Sequence, residues 1–388
     1  MLIFLKNILR FNSYFNEFFY SFFSMNSLKT MKEICQYMST LDTISDISEL
    51  KKFRKEIDNK QIYFTRDCNF SNSHIYGIWE NIFGKSNLRP VLTPSIEHGL
   101  IFHNQVFNDI KDTSRMACAT FGYFRKNIIQ QNIKIPVFCV GPYIHYAQPI
   151  YSTEKTEKLK KKYGKTLTVF PIHSTNKSVL SIDEKSYVNL LRQRAKSYDT
   201  VLINVFWWDI NNPLIDKLAS EGYKIVSAGF RDDVMFLSRL KTIIQLSDLV
   251  IGDSVGTHIG YCVDCGVPFC LENIGSRISS NLNKENKDKE FANFHQSQIS
   301  NTFLGSSKIT KEQLEIVDLY WGTSCIKTEE ELLKICNITS DLMYLTRGFQ
   351  SKLYSKVLIL LKEYKKTDII KHQLLLAALP QKGEFNVY

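Results

Sequence analysis

Residues able to hold an anion collect in one short stretch, Gly252-Asp253-Ser254-Val255-Gly256-Thr257-His258. It holds a carboxylate, two glycines, two hydroxyls and an imidazole, placed after the apolar run Leu249-Val250-Ile251. From it a helix runs to Cys265, Gly266 stops that helix, and Val267-Pro268-Phe269-Cys270-Leu271 begins a further strand. Strand, tight loop, helix and strand make the unit of a parallel sheet, whose crevice beyond the strand ends is the usual ligand position. A loop of this composition leading into the positive end of a helix suits a phosphate. A second set of candidates is Glu97 and His98, at a strand-to-loop junction beside the permissive Gly99. Either side chain can serve there as a general base; the alternative is structural hydrogen bonding.

The pattern of the chain supplies two α/β domains to position these groups. Strands expected at Gln61–Thr65, Leu88–Leu92, Met116–Thr120 and Pro136–Val140 alternate with helices in the N-terminal part. Polar loops follow the first two, Arg66–His74 and Thr93–Leu100, and an aromatic turn, Gly141–Ala147, follows the last. Tyr143, His145 and Tyr146 in that turn are candidates for lining a cleft. A charged helix, Glu154–Tyr163, ends at Gly164, which sets the domain boundary. A second rhythm then places strands at Leu167–Pro171, Thr200–Phe206, Tyr223–Ser227, Leu249–Ile251 and Val267–Leu271, with a helix from Ile182 and another opening at Asn212-Pro213. Residues 273–301 read as a polar surface loop or weak helix, 311–317 and 328–336 as helices, and 342–376 as an amphipathic helical tail. The expected fold is α/β, two Rossmann-like domains facing across a cleft. Its parts are 1–163, 164–345 and a helical tail, 346–388.

At 388 residues the chain exceeds a single core, and 44% hydrophobic with 23% charged residues is a globular balance. A net charge of +10 and basic runs at Lys51–Lys55, Lys158–Lys162 and Lys362–Lys371 are either solvated helix surface or a means of attracting an anion: a nucleotide, an acidic saccharide or an anionic membrane face. Nucleic acid is disfavoured, because no zinc-finger spacing, RNA-binding aromatic motif or reader helix accompanies the charge. The nine cysteines read as reduced thiols of a cytosolic protein, and Cys262 and Cys265 lack the second pair a zinc site needs. The aromatic start is interrupted by Lys6, Arg10 and Glu17 and does not span a bilayer, although a helix resting on a membrane surface fits it. The dinucleotide fingerprint, the Walker loop and an Asp-x-Asp pair for a metal are all absent.

The order Ser247-Asp248, an apolar triplet, Asp253-Ser254, Thr257-His258 and Gly266-Val267-Pro268 resembles the donor half of two-Rossmann-domain (GT-B) nucleotide-sugar glycosyltransferases. More loosely, Glu97-His98-Gly99 and Gly141-Pro142-Tyr143 are similar to segments of transferases that build bacterial surface polysaccharides or teichoic-acid-like polymers. The resemblance implies metal-independent transfer of a sugar from a CMP-, UDP- or GDP-linked donor to a saccharide or lipid-linked saccharide. No other cofactor is implied. The aromatic start, the basic runs and the lack of a spanning segment fit a cytoplasmic protein, either free or resting on the inner face of the membrane. It puts the donor phosphate over Ser254 to His258, with Arg231 and Arg239 offsetting its charge. Base and ribose would meet the loop with Gly229 and the one after Leu271, where Glu272 is a candidate for ribose hydroxyls. His173, Ser174 and Thr175 would lie near the leaving phosphate, and His98 or Glu97 would deprotonate the acceptor. The competing classes are a CDP-polyol phosphotransferase, a non-hydrolysing sugar epimerase and a non-catalytic saccharide-binding protein.

Overall fold

A computed structural model describes residues 47–59, 75–84, 93–106, 115–172, 178–181, 184–231, 233–272, 277–280, 286–347 and 349–380, with 33 and 110 singly. The expected strands at 61–65 and 88–92, the loop 66–74, the aromatic start and His173, Ser174 and Thr175 lie outside the described residues. The chain forms two compact α/β units. One takes the described residues of Tyr63–Tyr143 and Asp318–Tyr388, the other those of Thr30–Ile62 and Ile144–Val317. These divisions differ from boundaries at 163 and 345.

Among the described residues the first unit holds three parallel strands, β1 (Ser95–Ile96), β2 (Cys118–Thr120) and β3 (Val137–Cys139), side by side in that order. Every strand residue is buried, as in a parallel sheet covered on both faces. β1 falls inside the stretch read as a loop. Pro94 donates no hydrogen bond, but the amides of Ser95 and Glu97 reach Ala117 O and Ala119 O, and these suffice for a short parallel strand. The helix Tyr123–Asn132 connects β2 to β3. Its Lys126 and Gln130 side chains donate to the carbonyls of Ala377 and Ala378, capping the last helix, Ile369–Ala378.

The tail read as continuous over 342–376 is three helices, Glu329–Thr346, Leu353–Thr367 and Ile369–Ala378. Arg347 enters the left-handed region (φ 51°), and Asp368 takes an extended conformation and accepts from Lys371 N at 3.1 Å. The first of the three opens with a capping box: Thr328 Oγ1 accepts from Glu331 N at 3.2 Å, and Glu331 Oε2 accepts from Thr328 N at 2.8 Å. Thr328→Ala is expected to lower the unfolding free energy by about 1 kcal/mol, read from the midpoint of a denaturant titration.

The second unit is built on five parallel strands: β4 (Thr166–Phe170), β6 (Thr200–Asn204), β7 (Lys224–Val226), β8 (Leu249–Gly252) and β9 (Phe269–Leu271). Between β4 and β6 runs β5 (Ser178–Ser181), and after β9 comes β10 (Arg277–Ser280); these two pair antiparallel as a separate ribbon. The main sheet has the order β7-β6-β4-β8-β9, so the chain winds outward one way from β4 and then returns to continue on the other side. That is the doubly wound arrangement. One face buries Leu167, Val169, Ile203 and Ile251 with Tyr187, Val188 and Leu191, and Leu50 of the helix Ile47–Asn59 joins them. The opposite face buries Leu202, Val226 and Ile243. Polar side chains pin the strand starts: Asp248 Oδ2 accepts from Thr166 N at 2.7 Å, and the Thr168 and Ser247 hydroxyls lie 2.6 Å apart. The polar stretch 273–301 contains a full helix, Asn286–Phe303. Among the described residues no helix is long and apolar enough to cross a membrane.

Candidate functional site

The reversal of strand order falls between β4 and β8, whose register aligns Phe170 with Gly252. The C-terminal ends of these strands therefore release the chain on either side of one crevice, which is where a doubly wound sheet takes its ligand. After β8 come Asp253, Ser254, Gly256, Thr257 and His258, all partly buried. After β4 come Pro171 and Ile172, ahead of the undescribed 173–177.

His258 organises this crevice. Its imidazole stacks on Phe170 from β4, with centroids 5.3 Å apart and planes 12° apart, and meets the edge of Phe269 from β9 at 5.2 Å. The two glycines of the loop make room for that ring. A Cβ on Gly256 would come within 2.9 Å of it, and one on Gly252 within 3.3 Å of Nε2 and 3.0 Å of Phe269. The sequence reading assigned these glycines to a phosphate, whereas their observed neighbour is the histidine. The helix from the loop spans only His258–Asp264, and Thr257 makes no side-chain cap to it. A dipole this short contributes little.

Enclosed polar atoms lie at this end of the sheet. Both carboxylate oxygens of Asp253 are buried, and so is the hydroxyl of Tyr187; Oδ1 of Asn204, also buried, closes β6 on the Leu202 face of the sheet, opposite to the face that Tyr187 fills. Tyr187, on the helix Glu184–Ala195, is fully buried; burial, with the charge of Asp253 added, pushes its phenol well above the ordinary value. Among the described residues, neither the Tyr187 hydroxyl nor Asn204 Oδ1 has a hydrogen-bond partner. Buried polar atoms are nearly always satisfied, so the Tyr187 hydroxyl beside Asp253 marks a place for water or a ligand. Sequence reasoning missed Tyr187 and Asn204. The only available signal was an asparagine closing an otherwise apolar strand.

The remaining candidates divide. Gly229 takes φ 92° and donates its amide to Ser227 Oγ at 3.1 Å, and Arg231 beyond it is exposed. Arg239 is buried against Asp233, Nη2 to Oδ2 2.8 Å, and donates to Ala228 O at 3.1 Å; it holds the loop from beneath. Glu272 is buried to 9% exposure and engaged by Arg194 and by the Cys270 thiol at 3.3 Å, so its carboxylate already has partners. Aromatics rim the ends of β6 and β7. Trp207 packs on Phe230 at 4.5 Å, and Arg54 lies 4.6 Å from the rings of both Trp207 and Trp208.

Glu97 and His98, in the first unit, follow β1. Glu97 is 2% exposed, and its carboxylate is gripped by Arg125 through two bonds, Nε to Oε2 at 2.9 Å and Nη2 to Oε1 at 2.6 Å. Thr120 Oγ1 adds a third at 3.1 Å, and the Tyr143 hydroxyl donates to the Glu97 carbonyl. With its oxygens so occupied, Glu97 is a framework carboxylate. His98 next to it is half-buried. The turn expected to line a cleft puts Tyr143 wholly inside the first unit, while in the second His145 stands at the surface, 3.3 Å from Asp264. Among the described residues no group of three or more His, Cys, Asp or Glu stands together as metal ligands.

No family model matches the sequence, and no curated protein matches it. Among solved structures, one described as TcCGT1 in complex with UDP matches with a TM-score of 0.27 and 11% identity, over 88% of this chain and 81% of that one. Likeness at that level carries neither its fold in detail nor its ligand to this chain.

Proposed function

We propose that the protein is a glycosyltransferase that binds a nucleotide-activated sugar in the second unit, at the β4–β8 crevice, and transfers the sugar to a saccharide or lipid-linked saccharide of the cell surface. The observation that carries the reading is the buried Tyr187 hydroxyl, without a hydrogen-bond partner among the described residues, beside Asp253 of a hydroxyl-bearing loop at the switch point of a doubly wound sheet. In this reading Ser254 and Thr257 donate to the donor phosphate. His258, held between Phe170 and Phe269, fixes the loop that presents them. His173, Ser174 and Thr175 approach from the β4 side. Arg231 supplies positive charge and Gly229 a close backbone approach. His98 is the remaining candidate base for the acceptor hydroxyl, since Glu97 is committed to Arg125.

Thermal unfolding with CMP, CDP, UDP, GDP, ADP and NAD tests this directly. One pyrimidine or guanosine nucleotide, present at a hundred times its dissociation constant, is expected to stabilise the protein by about 2.7 kcal/mol. Thr257→Ala is expected to weaken that nucleotide about tenfold, the loss of one hydrogen bond to a charged group. The absence of any shift with all six overturns the proposal.

A further inference from the structure

In the first unit two cysteines from distant parts of the sequence meet at a cavity. Cys139 ends β3, and Cys325 ends the 3-10 turn Thr323–Cys325 between the helices Lys311–Trp321 and Glu329–Thr346. Close backbone contacts hold both segments. Gly322, at φ 67°, opens the turn where a Cβ would meet Phe121 O at 2.5 Å and Gly122 Cα at 2.7 Å. Gly141, two residues past Cys139 and at φ 78°, sits where a Cβ would meet Ile326 Cγ1 at 2.8 Å and Gly322 O at 3.1 Å. Asp318 fastens the turn itself: Oδ1 accepts from Thr323 Oγ1 at 2.9 Å and Ser324 N at 2.6 Å, and Oδ2 accepts from Ser324 Oγ at 3.1 Å.

Both cysteines are buried, at 9% and 3% exposure, yet both line one cavity of about 220 Å³, walled also by Tyr123, Lys327 and Leu374. Across the cavity the two thiols influence one another. The neighbouring Cys139, with help from Ser324 and the Lys327 cation, pulls Cys325 down to about 7 against its burial and the charge of Asp318. The Cys325 sulfur, with burial, pushes Cys139 well up, although Lys126 and Lys327 oppose the shift. Tyr123 lies against the pair, its phenol raised by burial, and Glu331 faces the cavity from the following helix. The two thiols are thus shifted in opposite directions, Cys325 down and Cys139 up, the asymmetry a nucleophilic and a resolving thiol need.

We propose that Cys325 is a peroxide-reactive thiol and that Cys139 resolves its sulfenic acid to a disulfide, tying the end of β3 to the turn at 323–325. The Cys325 thiolate attacks one oxygen of hydrogen peroxide; the S–O bond forms, the O–O bond breaks, and hydroxide leaves and takes a proton as water. The Cys139 sulfur then gives up its proton and attacks the Cys325 sulfur; the S–S bond forms, the S–O bond breaks, and a second water departs. Two thiols and one peroxide yield one disulfide and two waters.

The test treats the full-length reduced protein with hydrogen peroxide, blocks free thiols and maps disulfide-linked peptides by mass. The expected result is a Cys139–Cys325 peptide. Cys325→Ser abolishes it, and in Cys139→Ser the sulfenic acid persists and is trapped by dimedone at Cys325. Circular dichroism confirms that both variants fold. A folded Cys139→Ser protein with no dimedone adduct at Cys325, or linkage spread over other cysteines in the wild type, overturns the proposal. Nucleotide binding by the second unit has no bearing on either outcome.

Discussion

Arg125→Met is expected to lower the unfolding free energy by about 3–5 kcal/mol, because it leaves the Glu97 carboxylate charged and without its partner in the interior. The size follows from the surroundings. Both side chains are almost fully enclosed, at 0% and 3% exposure, so water cannot replace the lost guanidinium. The same arginine donates to His103 O at 2.7 Å and Gln105 O at 3.2 Å, and these carbonyls lose their donor as well. Glu97→Gln is expected to destabilise by a comparable amount, leaving the positive charge unpaired. The double variant Glu97→Leu, Arg125→Met removes both charges and is expected to recover most of the loss. Denaturant titration of the three proteins closes the cycle. The set also separates two roles for Glu97: a catalytic base would lose turnover in Glu97→Gln with stability unchanged, whereas a framework carboxylate loses stability first. A cost below about 1 kcal/mol for Arg125→Met would contradict the buried-pair account.

Gly322→Ala is expected to cost about 3 kcal/mol or more. A non-glycine residue at φ 67° already carries backbone strain on the order of 1–3 kcal/mol. Here the added methyl would also stand 2.5 Å from Phe121 O and 2.7 Å from Gly122 Cα, both backbone atoms that cannot swing aside. Gly266→Ala is the control. Its φ is 72°, nearly the same, but nothing lies within 4 Å of the new methyl, so only the strain remains. Equal losses of Tm in the two variants would mean that the contact with Phe121 and Gly122 is slack.

The second unit was largely legible in the sequence because its signals are local. Buried parallel strands read as short apolar runs, and Asn212 ahead of Pro213 caps the next helix through its side chain, accepting from Leu214 N at 3.0 Å. Gly164 and Gly266 end their helices at positive φ, as their positions suggested. What the sequence concealed depends on residues far apart in the chain. Arg125 stands 28 positions from Glu97, so nothing near Glu97 announces that its carboxylate is taken. The glycines at 252 and 256 look like a phosphate cradle until Phe170 and Phe269 bring the His258 ring between them. The β5–β10 ribbon pairs Ser181 with Arg277, and neither strand is long or apolar enough to stand out alone.

The division of the chain into units also fixes an order of events during synthesis. Apart from the helix Ile47–Asn59, the second unit is a single run of sequence from 144 to 317, complete before the helices that follow it exist. The first unit draws on 75–143 and again on 318–380, and its Lys126 and Gln130 await the carbonyls of Ala377 and Ala378. Domains form as units while the chain emerges at about 5–20 residues per second. On the ribosome, therefore, the middle of this protein closes first, and the three-stranded sheet that is translated earlier is the last to be covered.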